Sequence, residues 1–294
     1  MASVKITQLP NVLGNQINPA VDILPIVRVG ADSTDKITVE ELGTLFGGGL
    51  EGTQYVYVAA NGTDVQNAAE LQAAYVTAQG MSPSITNRIT IIAAPGNYNF
   101  STANFVMSTQ YIDLVSLDGN KSIVFNGSTT IEITANDVFV KGVDVGTLNF
   151  TIANSLNLLR VENCTGGKDS FGGAGTASGT FNNCTGGNNS FGGDGGTASG
   201  VFTNCTGGDG SFGITSLGTF TNCTAGINSF GGNGTSSGIF TSCVGGEYSF
   251  GANLMGTLSG KLFYCRITLG TFATVSGSGR TYYCVDGNGN PNNQ

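Results

Sequence analysis

The chain of 294 residues contains no tryptophan and no histidine, and only 10% of its residues are charged. Its net charge is −8, so electrostatics gives no support for binding to nucleic acid or to an anionic membrane surface. There is no run of 18 apolar residues and no basic segment followed by an apolar one, so we expect neither membrane insertion nor a secretory signal. Without histidine or a CxxC pair a zinc site lacks ligands, and we expect no metal and no cofactor.

The cysteines, by contrast, recur at regular intervals of 18 to 22 residues. They are Cys164, Cys184, Cys205, Cys223, Cys243, Cys265 and Cys284. A phenylalanine stands seven residues after each of the first five, and another stands three residues before four of them. Self-similarity at about 20 residues, with short β-prone segments between Gly, Ser and Asn, is typical of a solenoid in which each repeat forms one coil.

The composition of the repeat favours a parallel β-helix among the solenoids. It has no helical period and no leucine framework, which excludes ankyrin, TPR and leucine-rich repeats. Coils of a parallel β-helix stack about 4.8 Å apart, so residues at one phase form a ladder. We expect the phenylalanine before each cysteine, and the cysteine itself, to point inward. Buried in this way, the cysteines are predicted to be free thiols that pack as small apolar groups.

Phenylalanine and cysteine three residues apart cannot both face inward from one straight strand, so a corner must lie between them. Asparagine precedes the cysteine at Asn163, Asn183, Asn204 and Asn222. Asparagine tolerates the left-handed conformation, and stacked asparagines can hydrogen-bond along the ladder. The glycine pairs after the second phenylalanine, such as Gly192-Gly193, are predicted to form the other corner.

The first 50 residues differ from the rest, with short apolar segments and scattered proline and glycine. Thr38, with Glu41 three residues later, predicts the start of a helical turn through Leu45. Three ordered segments carry a resemblance: Ile6 to Pro10, Asp22 to Val27, and Asp35 to Leu42. They resemble the N-terminal segment of many tailed-phage fibre and appendage proteins. This resemblance implies that the segment attaches the chain to a virion, through residues that include Leu9, Pro10, Leu24, Pro25 and Ile26.

A second resemblance covers residues 55 to 98. Tyr55 to Val58 reads as a strand, Thr63 or Asp64 caps an amphipathic helix of about 15 residues ending at Gly80, and an apolar strand runs into Pro95-Gly96. This order resembles the start of the pectate-lyase-like right-handed β-helices, which are used in phage tailspikes. The segment NGTDVQN departs from the usual DGxTDD-like start, and no second proline precedes Gly96. The resemblance implies the fold and a capping helix, and no activity.

Together these patterns predict an all-β chain: a right-handed parallel β-helix with an N-terminal capping helix and a small attachment segment. We divide it into an attachment segment at 1–50, a strand and capping helix at 51–88, the β-helix at 89–284 and a flexible tail at 285–294. The β-helix is long enough for roughly ten coils.

Four tyrosines are the candidate contacts to sugars. Exposed aromatic rings can hold a glycan by stacking and hydrogen bonds, and the residues in question are Tyr248, Tyr264, Tyr282 and Tyr283. The same residues could instead pack against sister subunits, since phage fibres similar to this chain are generally homotrimers.

Catalytic residues are not assigned. The carboxylates of the coils do not recur at one phase in neighbouring repeats, as a catalytic pair would require. They are Asp113, Asp118, Glu132, Asp137, Asp144, Glu162, Asp169, Asp194, Asp209 and Glu247. The GGxGxD spacing of calcium-binding nonapeptides is not repeated either.

Two functions compete on this basis. The first is a structural virion protein, a tail fibre or spike assembled in the bacterial cytoplasm, docked on another virion protein by its N-terminus and contacting host surface polysaccharide. The second is a tailspike depolymerase that cleaves such a polysaccharide. A secreted adhesin is disfavoured by the unpaired cysteines and the missing signal.

Overall fold

A computed structural model describes residues 23–27, 34–38, 53–101, 103–128, 130–153, 156–193, 195–232, 234–251, 257–268 and 280–292. The elements in the N-terminal half are β1 Ile23–Val27, β2 Thr34–Thr38, β3 Thr53–Val58, α1 Asp64–Gly80, β4 Arg88–Ala93, β5 Gly96–Tyr98, β6 Phe105–Met107, β7 Ile112–Ser116, β8 Ile123–Phe125, β9 Ile131–Ile133, β10 Phe139–Lys141, β11 Val143–Asp144 and β12 Thr151–Ile152. Those that follow are β13 Arg160–Glu162, β14 Thr176–Ala177, β15 Thr180–Asn182, β16 Thr197–Ala198, β17 Val201–Thr203, β18 Thr215–Ser216, β19 Thr219–Thr221, β20 Thr235–Ser236, β21 Ile239–Thr241, β22 Val244–Gly245, β23 Thr257–Leu258, β24 Lys261–Phe263, β25 Arg266–Ile267, β26 Arg280–Tyr282, β27 Cys284–Val285 and β28 Pro291–Asn292.

The predicted all-β fold is confirmed: the chain forms a parallel β-solenoid of about 8 turns, each of about 21 residues, with one short helix near the N-terminus. Its longest sheet has 11 strands in the order β26-β24-β21-β19-β17-β15-β13-β10-β7-β4-β3. The turn count is below the roughly ten coils expected from length, and the early turns are longer than the regular ones. Register pairs Ile91 with Leu114 and Leu114 with Val140, whereas Phe202 pairs with Phe220.

The core of the regular coils consists of two phenylalanine columns. Phe181, Phe202, Phe220 and Phe240 are buried and stacked, with ring centroids 4.8 to 5.1 Å apart. The second column is Phe171, Phe191, Phe212, Phe230 and Phe250, with centroids 4.7 to 4.9 Å apart. Rings of one column meet those of the other edge to face, as at Phe212 and Phe220, where the planes are 87° apart. Stacked and edge-to-face contacts are the two favoured aromatic geometries. The predicted inward orientation is confirmed, because these phenylalanines are buried.

The asparagine corner is also confirmed. Asn183, Asn204 and Asn222 have φ of 52° to 53°, and Asn163 has 51°. The Asn204 side-chain amide donates to Asn183 Oδ1 at 3.1 Å, and that of Asn222 donates to Asn204 Oδ1 at 3.2 Å. Asn183, Asn204 and Asn222 therefore form the bends of their own coils and link three successive coils, whereas the Asn163 side-chain amide donates to Gly119 O at 3.1 Å.

The other corner differs from the expectation. Glycine takes positive φ there, as at Gly192 with φ of 76°, but the preceding phenylalanine is left-handed too. Phe191 and Phe212 have φ of 56° and 59°. A bulky residue in this region costs about 1 to 3 kcal/mol, and the stacked ring column is the packing that holds it there.

All seven cysteines are buried free thiols, as predicted. Each thiol donates to backbone carbonyls, and Cys205 Sγ lies 3.4 Å from Phe181 O of the preceding coil. Burial raises the pKa of the Cys164 thiol, which keeps it protonated. The column therefore acts as small apolar packing with weak hydrogen bonds.

Helix α1 covers the first turns, and its predicted bounds are confirmed. Thr63 is the N-cap, and it forms a capping box with Gln66. The buried face includes Leu71 and Tyr75 and packs against β3, β4, β5 and β7. Tyr75 Oη accepts from the backbone N–H of Ser108 at 2.7 Å, which fixes the helix to the solenoid.

Both ends of the chain add small antiparallel pairs. At the N-terminal end β1 pairs with β2, and Ile23 lies opposite Thr38. Thr38 is thus the last residue of a strand, and the remainder of the predicted helical turn falls outside the described residues. At the other end, β27 pairs with β28 where composition predicts a flexible tail. Asp286 forms that hairpin turn by accepting from the backbone N–H groups of Asn288 and Asn290.

Candidate functional site

Three exposed tyrosines and the half-buried Phe263 form an aromatic surface near the C-terminal end of the longest sheet. Phe263 in β24 and Tyr282 in β26 are in register, and their rings stack with centroids 4.9 Å apart and planes 5° apart. Both point outward, because the residues before them, Leu262 and Thr281, fill the core. Tyr282 is 40% exposed.

The second pair of rings stands on the neighbouring corner. Tyr264 and Tyr283 occupy the position that Asn204 holds in an earlier coil, and both have φ of 55°. Their rings stack with centroids 5.2 Å apart, and they are 62% and 68% exposed. We call Phe263, Tyr264, Tyr282 and Tyr283 the tyrosine face. It presents two parallel ring pairs to solvent on a backbone held by ladder hydrogen bonds.

Tyr248 is not part of this face. It has φ of 59° and occupies the other polar corner of its coil, the position of Asn189 and Asn228 in earlier coils. Glu247 beside it raises the pKa of its phenol. Of the four tyrosines predicted to contact sugar, the structure therefore brings three together and leaves Tyr248, 43% exposed, apart.

Positive charge borders the tyrosine face. Lys261 and Arg280 are in register on the same two strands, two residues before Phe263 and Tyr282. Arg266 lies beyond the corner, two residues after Tyr264, and is exposed. The only acidic residue between position 248 and the end of the chain is Asp286. Its hydrogen bonds from the backbone of Asn290 and Asn288 lower its pKa and tie it to the hairpin turn.

Two of the candidate carboxylates converge on Arg88. Arg88 Nε donates to Asp113 Oδ2 at 2.5 Å, and Nη2 donates to Asp137 Oδ1 at 2.9 Å. The Asp113 side chain is 5% exposed and also accepts from the backbone N–H of Phe139 at 2.7 Å. Arg88 lies in β4, Asp113 in β7 and Asp137 just before β10, so the shared guanidinium joins three successive coils. The cluster is therefore built as an ionic link between the first turns.

The remaining carboxylates of the described coils lie in separate local contacts. Asp118 accepts from the Ser116 and Ser122 hydroxyls, Glu132 from Asn104, Asp144 from the Gly146 N–H, Glu162 from Lys141, and Asp209 from the Ile227 N–H, while Asp169 lies 3.7 Å from Lys168. Asp194 falls outside the described residues. Among the residues described, no three His, Cys, Asp or Glu side chains are grouped to hold a metal ion. Within the same residues, no helix has the length and apolar character that crossing a bilayer requires.

Sequence reasoning missed Phe263, and it did not place Lys261, Arg266 and Arg280 beside the tyrosines. The signal for Phe263 is present, since an aromatic pair precedes the cysteine in both Phe263-Tyr264-Cys265 and Tyr282-Tyr283-Cys284. Applying the repeat phase to these coils places one ring on the strand and one on the corner. For the attachment segment, Leu24, Pro25 and Ile26 lie in β1, and Leu9 and Pro10 fall outside the described residues.

Comparison with known proteins assigns no family. No protein-family model, no curated protein and no solved structure matches this chain.

Proposed function

We propose that this chain is a structural and adhesive component of a phage virion appendage. In this proposal the N-terminal segment docks on another virion protein, the solenoid is a rigid shaft, and the tyrosine face contacts host surface polysaccharide. The resemblance of the N-terminal segment to phage fibre proteins supports the location. The tyrosine face supports the adhesive role.

The position of the tyrosine face is the observation that carries this proposal. The face lies on β24 and β26, at one end of the 11-stranded sheet, and helix α1 packs at the other end. A chain anchored near α1 therefore presents the rings far from its anchor. The ladders of phenylalanine and asparagine in the regular coils between the two ends make the shaft stiff.

The chemistry of the rings fits sugars. Parallel, exposed aromatic faces can stack on the apolar C–H face of a pyranose, and the phenol groups of Tyr264, Tyr282 and Tyr283 can hydrogen-bond its hydroxyls. Because the rings stack in pairs on a fixed backbone, little conformational freedom is lost when a glycan binds.

The depolymerase alternative predicts a different result in one experiment. The purified chain is incubated with a panel of bacterial capsular polysaccharides and lipopolysaccharides, and the glycan is then sized by size-exclusion chromatography. An adhesive shaft leaves the polymer at its original length and co-elutes with the glycan it binds. A shortened polymer contradicts the proposal, and Asp113→Asn and Asp137→Asn then become the first variants to examine.

We also propose that the functional form is a homotrimer, as is general for the phage fibres whose N-terminal segment this chain resembles. The solenoid surface is poor in charge, with exposed apolar side chains such as Val201, Leu217 and Ile239. Such a surface can pack along a threefold axis. Multi-angle light scattering of the purified chain is expected to give three times the mass of 29.9 kDa, and a monomer mass contradicts this.

A further inference from the structure

We propose that the tyrosine face binds an acidic polysaccharide, one that carries carboxylates on its sugars. This inference rests on the proposed adhesive function and names the class of glycan. The chain as a whole has 19 acidic and 11 basic residues, so its average surface repels an anionic polymer. From position 248 onward the balance reverses, with Lys261, Arg266 and Arg280 against Asp286 alone.

The arrangement of these cations matches a polymer that stacks on the rings. Lys261 and Arg280 lie on the same strands as Phe263 and Tyr282 and on the same outward face, about 7 Å along the strand. Arg266 lies on the opposite side of the Tyr264 corner. Cations therefore lie on both sides of the rings along the chain.

The rings and the cations of the tyrosine face contact different groups of the glycan. The rings contact the C–H face of a sugar, which neutral and acidic glycans share. The guanidinium and ammonium groups contact carboxylates, which only an acidic glycan has. Because the cations are exposed at the border, their contribution is screened by salt, whereas ring stacking is not.

One negative charge, that of Asp286, stands against three positive charges in this part of the sequence. The Asp286 oxygens accept from Asn288 and Asn290 within the β27–β28 hairpin.

Binding of the full chain to immobilised polygalacturonate and hyaluronan, each beside its carboxyl-reduced form, tests the inference. We expect tighter binding to the acidic form in at least one pair, and binding that weakens as NaCl rises from about 0.05 to 0.5 M. Lys261→Gln with Arg280→Gln should weaken binding to the acidic form about five- to tenfold and leave the reduced form unchanged. Lys168→Gln, which removes an exposed lysine from an earlier coil, is the matched control and should change neither.

Three results overturn the inference. Equal binding of the acidic and reduced forms, without salt dependence, refutes the acidic preference and leaves the adhesive function standing. Failure to bind these polymers and every glycan of the bacterial panel refutes both. A change of oligomeric mass in Tyr264→Ala with Tyr283→Ala shows that the face joins copies of the chain instead. The wild-type salt dependence needs no variant, so the test does not depend on the folding of any substitution.

Discussion

Replacing single phenylalanines by leucine measures what ring stacking contributes to the shaft. Phe220 stacks on Phe202 at 4.9 Å and on Phe240 at 4.8 Å, and it meets Phe212 and Phe230 edge to face at 5.7 Å each. Leucine retains most of the apolar bulk, so its cost reflects mainly the four lost aromatic contacts.

The ends of the same column provide matched controls. Phe181 stacks only on Phe202, since its other register partner is Val161, and it also has two edge-to-face contacts. Phe240 likewise stacks on Phe220 alone, because Leu262 follows it. Phe220→Leu therefore loses one stacked pair more than either control.

One aromatic pair contributes about 0.5 to 1.5 kcal/mol beyond apolar burial. We therefore expect Phe220→Leu to lower the free energy of unfolding by about 1 kcal/mol more than Phe181→Leu or Phe240→Leu. Urea denaturation followed by circular dichroism gives this comparison, with the three variants measured under one condition. If the controls lose as much stability as Phe220→Leu, the columns are held together by apolar burial alone and ring stacking is not the cause.

Three further predictions concern the corners, the acid response and the thiols. Asn204→Ala should lower the free energy of unfolding by about 1 to 2 kcal/mol. Asn204→Gly should lower it by less, because glycine accepts positive φ. If the two variants lose the same stability, the left-handed corner is contradicted. The hydroxyls of Ser116 and Ser122 lower the pKa of Asp118, so its stabilising effect is complete above about pH 4 and is lost as the pH falls further. Asp118→Asn should then flatten the acid side of the stability curve, and an unchanged curve refutes this. A thiol reagent should modify none of the seven buried cysteines in the folded chain and all of them after unfolding, whereas fast labelling without denaturant contradicts their place in the core.

The sequence predicts the coil well wherever the repeat is strict. A fixed spacing forces residues of one phase into one column, so the inward phenylalanines, the buried cysteines and the asparagine corner all follow from periodicity and strand parity. The helix follows from its cap at Thr63 and the spacing of Leu71 and Tyr75.

Features that depend on packing between coils could not be predicted from the repeat spacing. The left-handed φ of Phe191 contradicts the residue's own preference, and it depends on a ring column that exists only once the coils are stacked. The hairpin around Asp286 has no apolar signal, because side-chain to backbone hydrogen bonds form it.

The candidate site was predictable in part. Exposure and residue type point to Tyr264, Tyr282 and Tyr283, but single-residue reasoning groups Tyr248 with them. Only the position of each tyrosine in its coil, on the outer strand or at one of the two corners, separates Tyr248 from the face. The cations Lys261 and Arg280 become neighbours through strand register, which the irregular spacing of the last coils obscures in the sequence.

The adhesive role of the tyrosine face is tested most directly by glycan binding of two matched tyrosine variants. Tyr264→Ala with Tyr283→Ala removes the exposed ring pair, and Tyr248→Ala removes an exposed ring from a different corner. Their retention on whichever polysaccharide of the bacterial panel binds the wild-type chain is measured beside light scattering and circular dichroism. We expect the double variant to lose binding by at least about tenfold with its fold and mass unchanged, and Tyr248→Ala to bind as the wild type does. Wild-type binding by the double variant contradicts a role for the tyrosine face in adhesion.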